Sequence, residues 1–227
     1  LTTLKKQQKP AVTAVSTSVA YLVTILPYLS WLTGAAAVLL ACDSWVERRR
    51  HQTLISARPL SVGVAGSSRL LTLIGFYILI LVAGGAAAVG LPALLKGFGD
   101  FDYPMAIMGQ TLLPLWKYLL IFVGLTLLAG IWIISFSMLI NTWITNAYLT
   151  TFIVTATALL PLILPQLFRF VWFLPFSYLD VAAMMRGTLI DRLNQPLASI
   201  WIGTGALFIW SVLNLGLFGY RVRKEAA

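Results

Sequence analysis

Few residues in this 227-residue chain are of types that do chemistry: it has one histidine, His51, one cysteine, Cys42, and seven acids. His51 follows Glu47 and Arg48, Arg49 and Arg50. A general base needs a substrate within reach and a partner that orients it, and an imidazole beside three guanidiniums reads as a solvated loop histidine. Asp180 and Asp191 are two carboxylates on one face of a short helix. Acid–base pairs need surroundings that push their pKa values apart. Here Arg186 lies between the two aspartates and Arg192 adjoins the second, which describes a solvated face. The chain has no phosphate-cradling G-x-x-x-x-G-K-[ST], no paired His/Glu zinc motif and no G-x-S-x-G elbow. A single cysteine excludes an internal disulfide and a cysteine-rich metal site. No catalytic and no metal-binding residues are therefore expected, and the chain is not expected to be an enzyme.

The elements that would position any site are of one kind. The composition is 59% hydrophobic and only 10% charged, with mean hydropathy +0.90. Soluble domains carry about 25% charged residues, so this chain reads as a polytopic integral membrane protein. Its net charge of +9 is explained by basic residues that flank spans and touch anionic lipid. No basic stripe with exposed aromatics accompanies it, so nucleic acid is not an expected partner.

Charge-free runs set the spans. A bilayer-crossing helix needs about 20 apolar residues. The runs predict five spans at about 19–41, 70–94, 118–140, 147–168 and 200–220, all within one transmembrane domain covering 1–227. The break between the third and fourth is expected at Asn141–Asn146. Gly34 to Ala37 in the first span, and Gly84 to Gly90 in the second, predict small faces for close helix contact. Gln110–Trp116 predicts a helix lying at the interface. Residues 180–194 predict a short extracellular amphipathic helix burying Ala182, Met185, Leu189 and Leu193. No ionisable residue falls mid-span, so a proton or ion relay is not expected. The hydroxyls and amides there include Ser30, Ser135, Ser137, Thr155, Thr157 and Asn214. They either bond helix to helix or line a path for an amphipathic cargo. The path-lining candidates are Ser135, Ser137, Thr155, Thr157 and Asn214.

The longest polar stretch, 43–69, joins the first two spans. Asp43 or Ser44 is expected to cap a short helix that stops near Ala57, because Arg58 precedes Pro59. Ser67 or Ser68 is expected to cap the next span. If the basic tail after Tyr220 is cytosolic, this loop is too. Lys and Arg then divide equally between the two sides, but those inside cluster against span ends as E-R-R-R and R-V-R-K.

This loop resembles that of the membrane subunits of ABC-2 type exporters. The resemblance rests on Glu47, Arg48 to Arg50, Thr53-Leu54 and Pro59-Leu60-Ser61. It rests also on L-P-F-S-Y at 174–178, followed by a short outer helix, a last span and a basic tail. His51-Gln52 stands where the family usually has a glycine. The resemblance implies an all-α permease with six spans in the full chain, consistent with a start that is Leu rather than Met. It implies a bacterial plasma-membrane location and a second membrane subunit, identical or not. It further implies a separate ATPase subunit that holds ATP and Mg, with no cofactor in this chain. That subunit would dock on a cytosolic coupling helix through Trp45, Val46, Glu47, Arg48, Arg49, Arg50, Thr53, Leu54 and Arg58. A bacteriocin-like peptide, a lipid or a drug would be the cargo, and membrane lipid surrounds the whole. The alternative is a non-transporting multi-pass protein, an immunity or scaffold subunit acting by helix contacts.

Overall fold

The computed structural model describes residues 18–50, 62–108, 111–144 and 146–224, with the backbone alone for 18–20, 43–50, 62–63 and 96. Long helices dominate: α1 (Ser18–Arg50), α2 (Val62–Lys96), α3 (Leu115–Trp143), α4 (Ala147–Ile163) and α8 (Ile200–Lys224). Four of them, α1, α2, α3 and α8, are long and apolar enough to cross a membrane. The fourth expected span divides. α4 has 17 residues and ends at Leu164 before Pro165, and a separate turn, α5, covers Pro165–Phe168. Proline lacks the N–H that would continue the ladder. At 1.5 Å per residue α4 is about 26 Å long.

Side-chain contacts fix how the ends align. Asn141 near the end of α3 donates from Nδ2 to the carbonyls of Ala41 and Cys42 in α1, at 3.2 and 3.1 Å. The Arg221 guanidinium of α8 lies 5.1 Å from the Trp143 ring of α3. The E-R-R-R end and the basic tail therefore share one end of the bundle. Trp116 and Lys117, 5.2 Å apart, mark the other end of α3. Twenty-seven steps of helix separate Trp116 from Trp143, about 40 Å, which matches a bilayer with its headgroups. Aromatic–cation pairs at both ends are the expected anchors at the two interfaces. α3 is central: it packs on α1, α8, α2 and α4.

The structure departs from the sequence reading in five places. First, Asp43 and Ser44 begin no helix, because α1 runs through them without a break to Arg50. The residues that follow, Glu47 and the arginines, are good helix formers. Second, α2 starts at Val62, eight residues before the expected span. The Ser67 and Ser68 hydroxyls donate back to the Val64 and Ala65 carbonyls, at 3.0 and 3.1 Å. Such back-bonding lets serine sit inside a helix instead of capping one. Third, the chain is not purely helical. Pro104–Ile107 (β1) and Thr111–Pro114 (β2) form an antiparallel hairpin where an interfacial helix was expected. Pro114 biases Leu113 toward extended geometry. The hairpin also holds α3: the N–H groups of Leu115 and Trp116 donate to the Tyr103 and Phe101 carbonyls, satisfying donors that a helix start leaves unpaired.

Fourth, the outer helix is two helices, α6 (Val181–Arg186) and α7 (Thr188–Leu193), broken at Gly187 with φ +81°. An added Cβ there would lie 3.2 Å from Met108 Cα, and the Met108 N–H donates to the Met185 carbonyl at 2.8 Å. The predicted inward face of Ala182, Met185, Leu189 and Leu193 is buried, but so are Val181, Ala183 and Met184. α6 is thus inserted among the helices, whereas α7 keeps Thr188, Asp191 and Arg192 on an exposed face. Fifth, among the described residues Ala88 packs on the core, but the glycines of that run in α2 face open space. An added Cβ at Gly84, Gly85 or Gly90 meets no atom within 4 Å. α2 lies at the periphery, and its best-buried residues are Leu73 and Tyr77.

The Tyr178 hydroxyl is fully buried without a hydrogen-bond partner among the described residues. A buried orphan polar group costs about 1–3 kcal/mol. Tyr178→Phe is therefore expected to raise the thermal unfolding midpoint in detergent. A clear fall would show that the hydroxyl is bonded.

Candidate functional site

Two regions bear on function: the end of α1 and the interior between α1, α3 and α4. Trp45, Val46, Glu47, Arg48, Arg49 and Arg50 fall on the last two turns of α1. Thr53, Leu54 and Arg58 lie outside the described residues, as do His51, the expected helix stop near Ala57 and Pro59 to Ser61. α1 has 33 residues, about 50 Å of continuous helix, so one rod joins the arginine cluster to the membrane interior. Asn141 clasps that rod where it leaves the apolar region. Its Nδ2 bonds are buried, which strengthens them relative to water-exposed ones.

The five path candidates do not come together. Ser135 and Ser137 are fully buried, and their hydroxyls donate to the Trp132 and Ile133 carbonyls of their own helix. Thr157 donates likewise to the Ile153 carbonyl. Asn214 is buried in α8, and its Nδ2 has no partner among the described residues. Thr155 alone of the five lines a cavity.

That cavity has a volume of about 220 Å³ and lies between α1, α3 and α4, with Tyr77 of α2 and the Leu179–Val181 strand of chain closing it. Small residues create it. Ser30, Gly34 and Val38 recur every four residues on α1, facing Ala129, Gly130 and Ile133 of α3 and Thr151, Thr155 and Ala158 of α4. Most polar lining groups are already engaged. The Tyr77 hydroxyl donates to the Thr126 carbonyl at 3.1 Å, the Thr126 hydroxyl to the Phe122 carbonyl, and the Thr151 hydroxyl to the Ala147 carbonyl. The sequence signal that could have located the cavity is the four-residue spacing of Ser30, Gly34 and Val38 on α1, read beside Gly130 and the polar tip of Tyr77.

Of the aspartates considered for chemistry, Asp191 is exposed on α7 and Asp180 is in structural use. Asp180 caps α6, accepting from the Ala183 N–H at 3.0 Å, and pairs with Arg192 at 3.0 Å. Among the described residues no group of three or more His, Cys, Asp or Glu side chains is placed to hold a metal. No protein-family model, curated protein or solved structure matches the chain.

Proposed function

We propose that this chain is the membrane-spanning subunit of an ATP-driven exporter of the ABC-2 type, in a bacterial plasma membrane, with six spans in the full protein. Two such subunits, identical or not, work with two separate ATPase subunits that bind ATP and Mg. The supporting observation is the continuity of α1. A partner that holds residues 43–50 grips the same helix that packs along the central α3. Pro27 lies inside α1 and removes one ladder bond there, but from Tyr28 to Arg50 the helix has no further proline, so that length transmits a push that a hinged coupling segment would absorb. The Asn141 clasp on Ala41 and Cys42 supplies a fixed point near the membrane boundary about which α1 tilts. ATP-driven approach of the two ATPase subunits then rocks the two membrane subunits and moves α1 against α3 and α4. Trp45 and Val46 supply an apolar hold and Glu47 with the arginines a charged rim, the composition of a specific interface.

The test is reconstitution with any Walker-A-bearing ATPase that a neighbouring reading frame is found to encode. Co-purification in mild detergent and a several-fold rise in ATP hydrolysis on adding this chain are expected. If neither occurs, the exporter reading fails.

A further inference from the structure

We propose that the cavity between α1, α3 and α4 binds a small, neutral, largely apolar molecule with a single hydrogen-bonding group. The class is that of medium-chain aliphatic alcohols and alkyl phenols, taken up sideways from the bilayer. The proposal stands independently of the export reading, since it concerns this chain alone.

Size comes first. An engineered protein cavity of roughly 150 Å³ takes up benzene. At about 220 Å³ this one accommodates on the order of nine or ten heavy atoms by the same scale. No charged residue lines it, so an ion entering it would be stripped of water without compensation. A void left empty is destabilising, and water needs two to four polar partners to occupy a buried site.

Polarity comes second. The Ser30 side chain is buried, at 5% exposure, and its hydroxyl has no partner among the described residues. Tyr77, Thr126 and Thr151 donate to backbone carbonyls, as described above. Ser30 is therefore the one deeply buried lining hydroxyl still without a partner, and a buried hydroxyl left so is costly. One oxygen on the ligand satisfies it. A pure hydrocarbon chain leaves it orphaned.

Access comes third. Ala35 and Leu39 of α1 and Thr155 and Leu159 of α4 are exposed and line the cavity. They form a mouth between the two helices. Ala35 and Leu39 lie within α1's apolar window, Tyr21–Cys42, and Thr155 lies at the middle of α4. At that depth the surrounding medium is hydrocarbon. Apolar solutes concentrate there, so entry needs no aqueous route.

The test is photolabelling of the purified full chain in phosphatidylcholine bilayer discs. The probe is 3-azioctanol, an eight-carbon alcohol carrying a diazirine, and labelled residues are read by mass spectrometry. Saturable labelling within 30–39 and 151–159 is expected, displaced by excess 1-octanol. Ser30→Ala should weaken the 1-octanol competition by about 5- to 10-fold, the worth of one hydrogen bond, and leave competition by n-octane unchanged. Gly34→Leu should abolish labelling by filling the space. If that variant does not elute as the wild type does, Gly34→Ala replaces it: its added Cβ meets nothing closer than Ile133 Cδ1 at 3.8 Å, and partial loss is expected. Labelling that rises linearly with probe and spreads over the exposed face of α2 would overturn the proposal. So would saturable labelling indifferent to Gly34→Leu in a variant that elutes normally. Equal competition by 1-octanol before and after Ser30→Ala would overturn the assigned chemistry.

Discussion

Gly130→Ala is expected to destabilise the protein by about 1–3 kcal/mol, and Gly130→Leu to prevent accumulation of folded protein. The Tyr77 ring of α2 lies directly on Gly130 of α3. A Cβ built at that position would overlap ring carbons Cε1 and Cζ and crowd the hydroxyl oxygen. The obstacle is a rigid ring, not the far end of a flexible chain. Tyr77 is 1% exposed and its hydroxyl is bonded to the Thr126 carbonyl, so it has nowhere to swing without losing both burial and bond. Because Tyr77 and Leu73 are the best-buried residues of α2, lifting the ring loosens the whole helix from the bundle and opens one wall of the cavity. Gly84→Ala is the matched control. Nothing lies within 4 Å of its added Cβ, and alanine favours helix over glycine by about 1 kcal/mol, so its midpoint should hold or rise. Thermal unfolding in detergent, with protease sensitivity of α2, reads both. In a double-mutant cycle, Gly130→Ala with Tyr77→Ala should cost less than the sum of the two. Similar behaviour of Gly130→Ala and Gly84→Ala would show that the ring is not seated there.

What the sequence could reveal tracks the range of the interactions that decide each feature. The long apolar runs follow from composition alone, because a helix in lipid satisfies its own backbone. They locate α3 and α8 to within a few residues, whereas α1 runs nine residues past its expected end and α2 begins eight before its expected start. The turn between α3 and α4 was also legible, since Asn146 caps α4 locally, its Oδ1 accepting from the Tyr148 and Leu149 N–H groups. Features decided by partners far along the chain were not. Asn141 looked like part of that turn, but its use is a bond to carbonyls 99 and 100 residues away, which keeps it helical. Gly187 looked like an ordinary residue of one helix, and its left-handed conformation makes sense only beside Met108. The hairpin needs Pro104–Ile107 as partner for Thr111–Pro114, a pairing that periodicity does not announce over four residues. The cavity is the least legible of all, because a void is defined by what several helices fail to fill. For the same reason the hydroxyls singled out as path-lining were chosen by type. The structure distributes four of those five to helix interiors and to α8, and gathers Ser30, Thr126, Thr151 and Thr155 instead.

The second large effect concerns Glu47. On the proposed reading of an ATPase docked at the end of α1, Glu47→Arg is expected to reduce ATPase stimulation and transport by at least about tenfold, the consequence of a like-charge contact costing a few kcal/mol at an interface. Its value as a test lies in what it should leave intact. The residue falls in the final turn of α1, where the helix dipole presents partial negative charge and favours cations. An added arginine therefore supports the helix end. It also adds positive charge at the end of the bundle that carries Arg221, which reinforces orientation with that end inside. Insertion, elution and the melting temperature should match the wild type. Loss of function would then reside in the contact with the ATPase and not in the fold, and a compensating charge reversal on the ATPase should restore it. Octanol labelling of the cavity should not change, because Glu47 lies well over a dozen residues along α1 from Ser30. Normal transport by Glu47→Arg would mean that the end of α1 is not where an ATPase takes hold, and that the length of the helix beyond Cys42 serves anchoring alone.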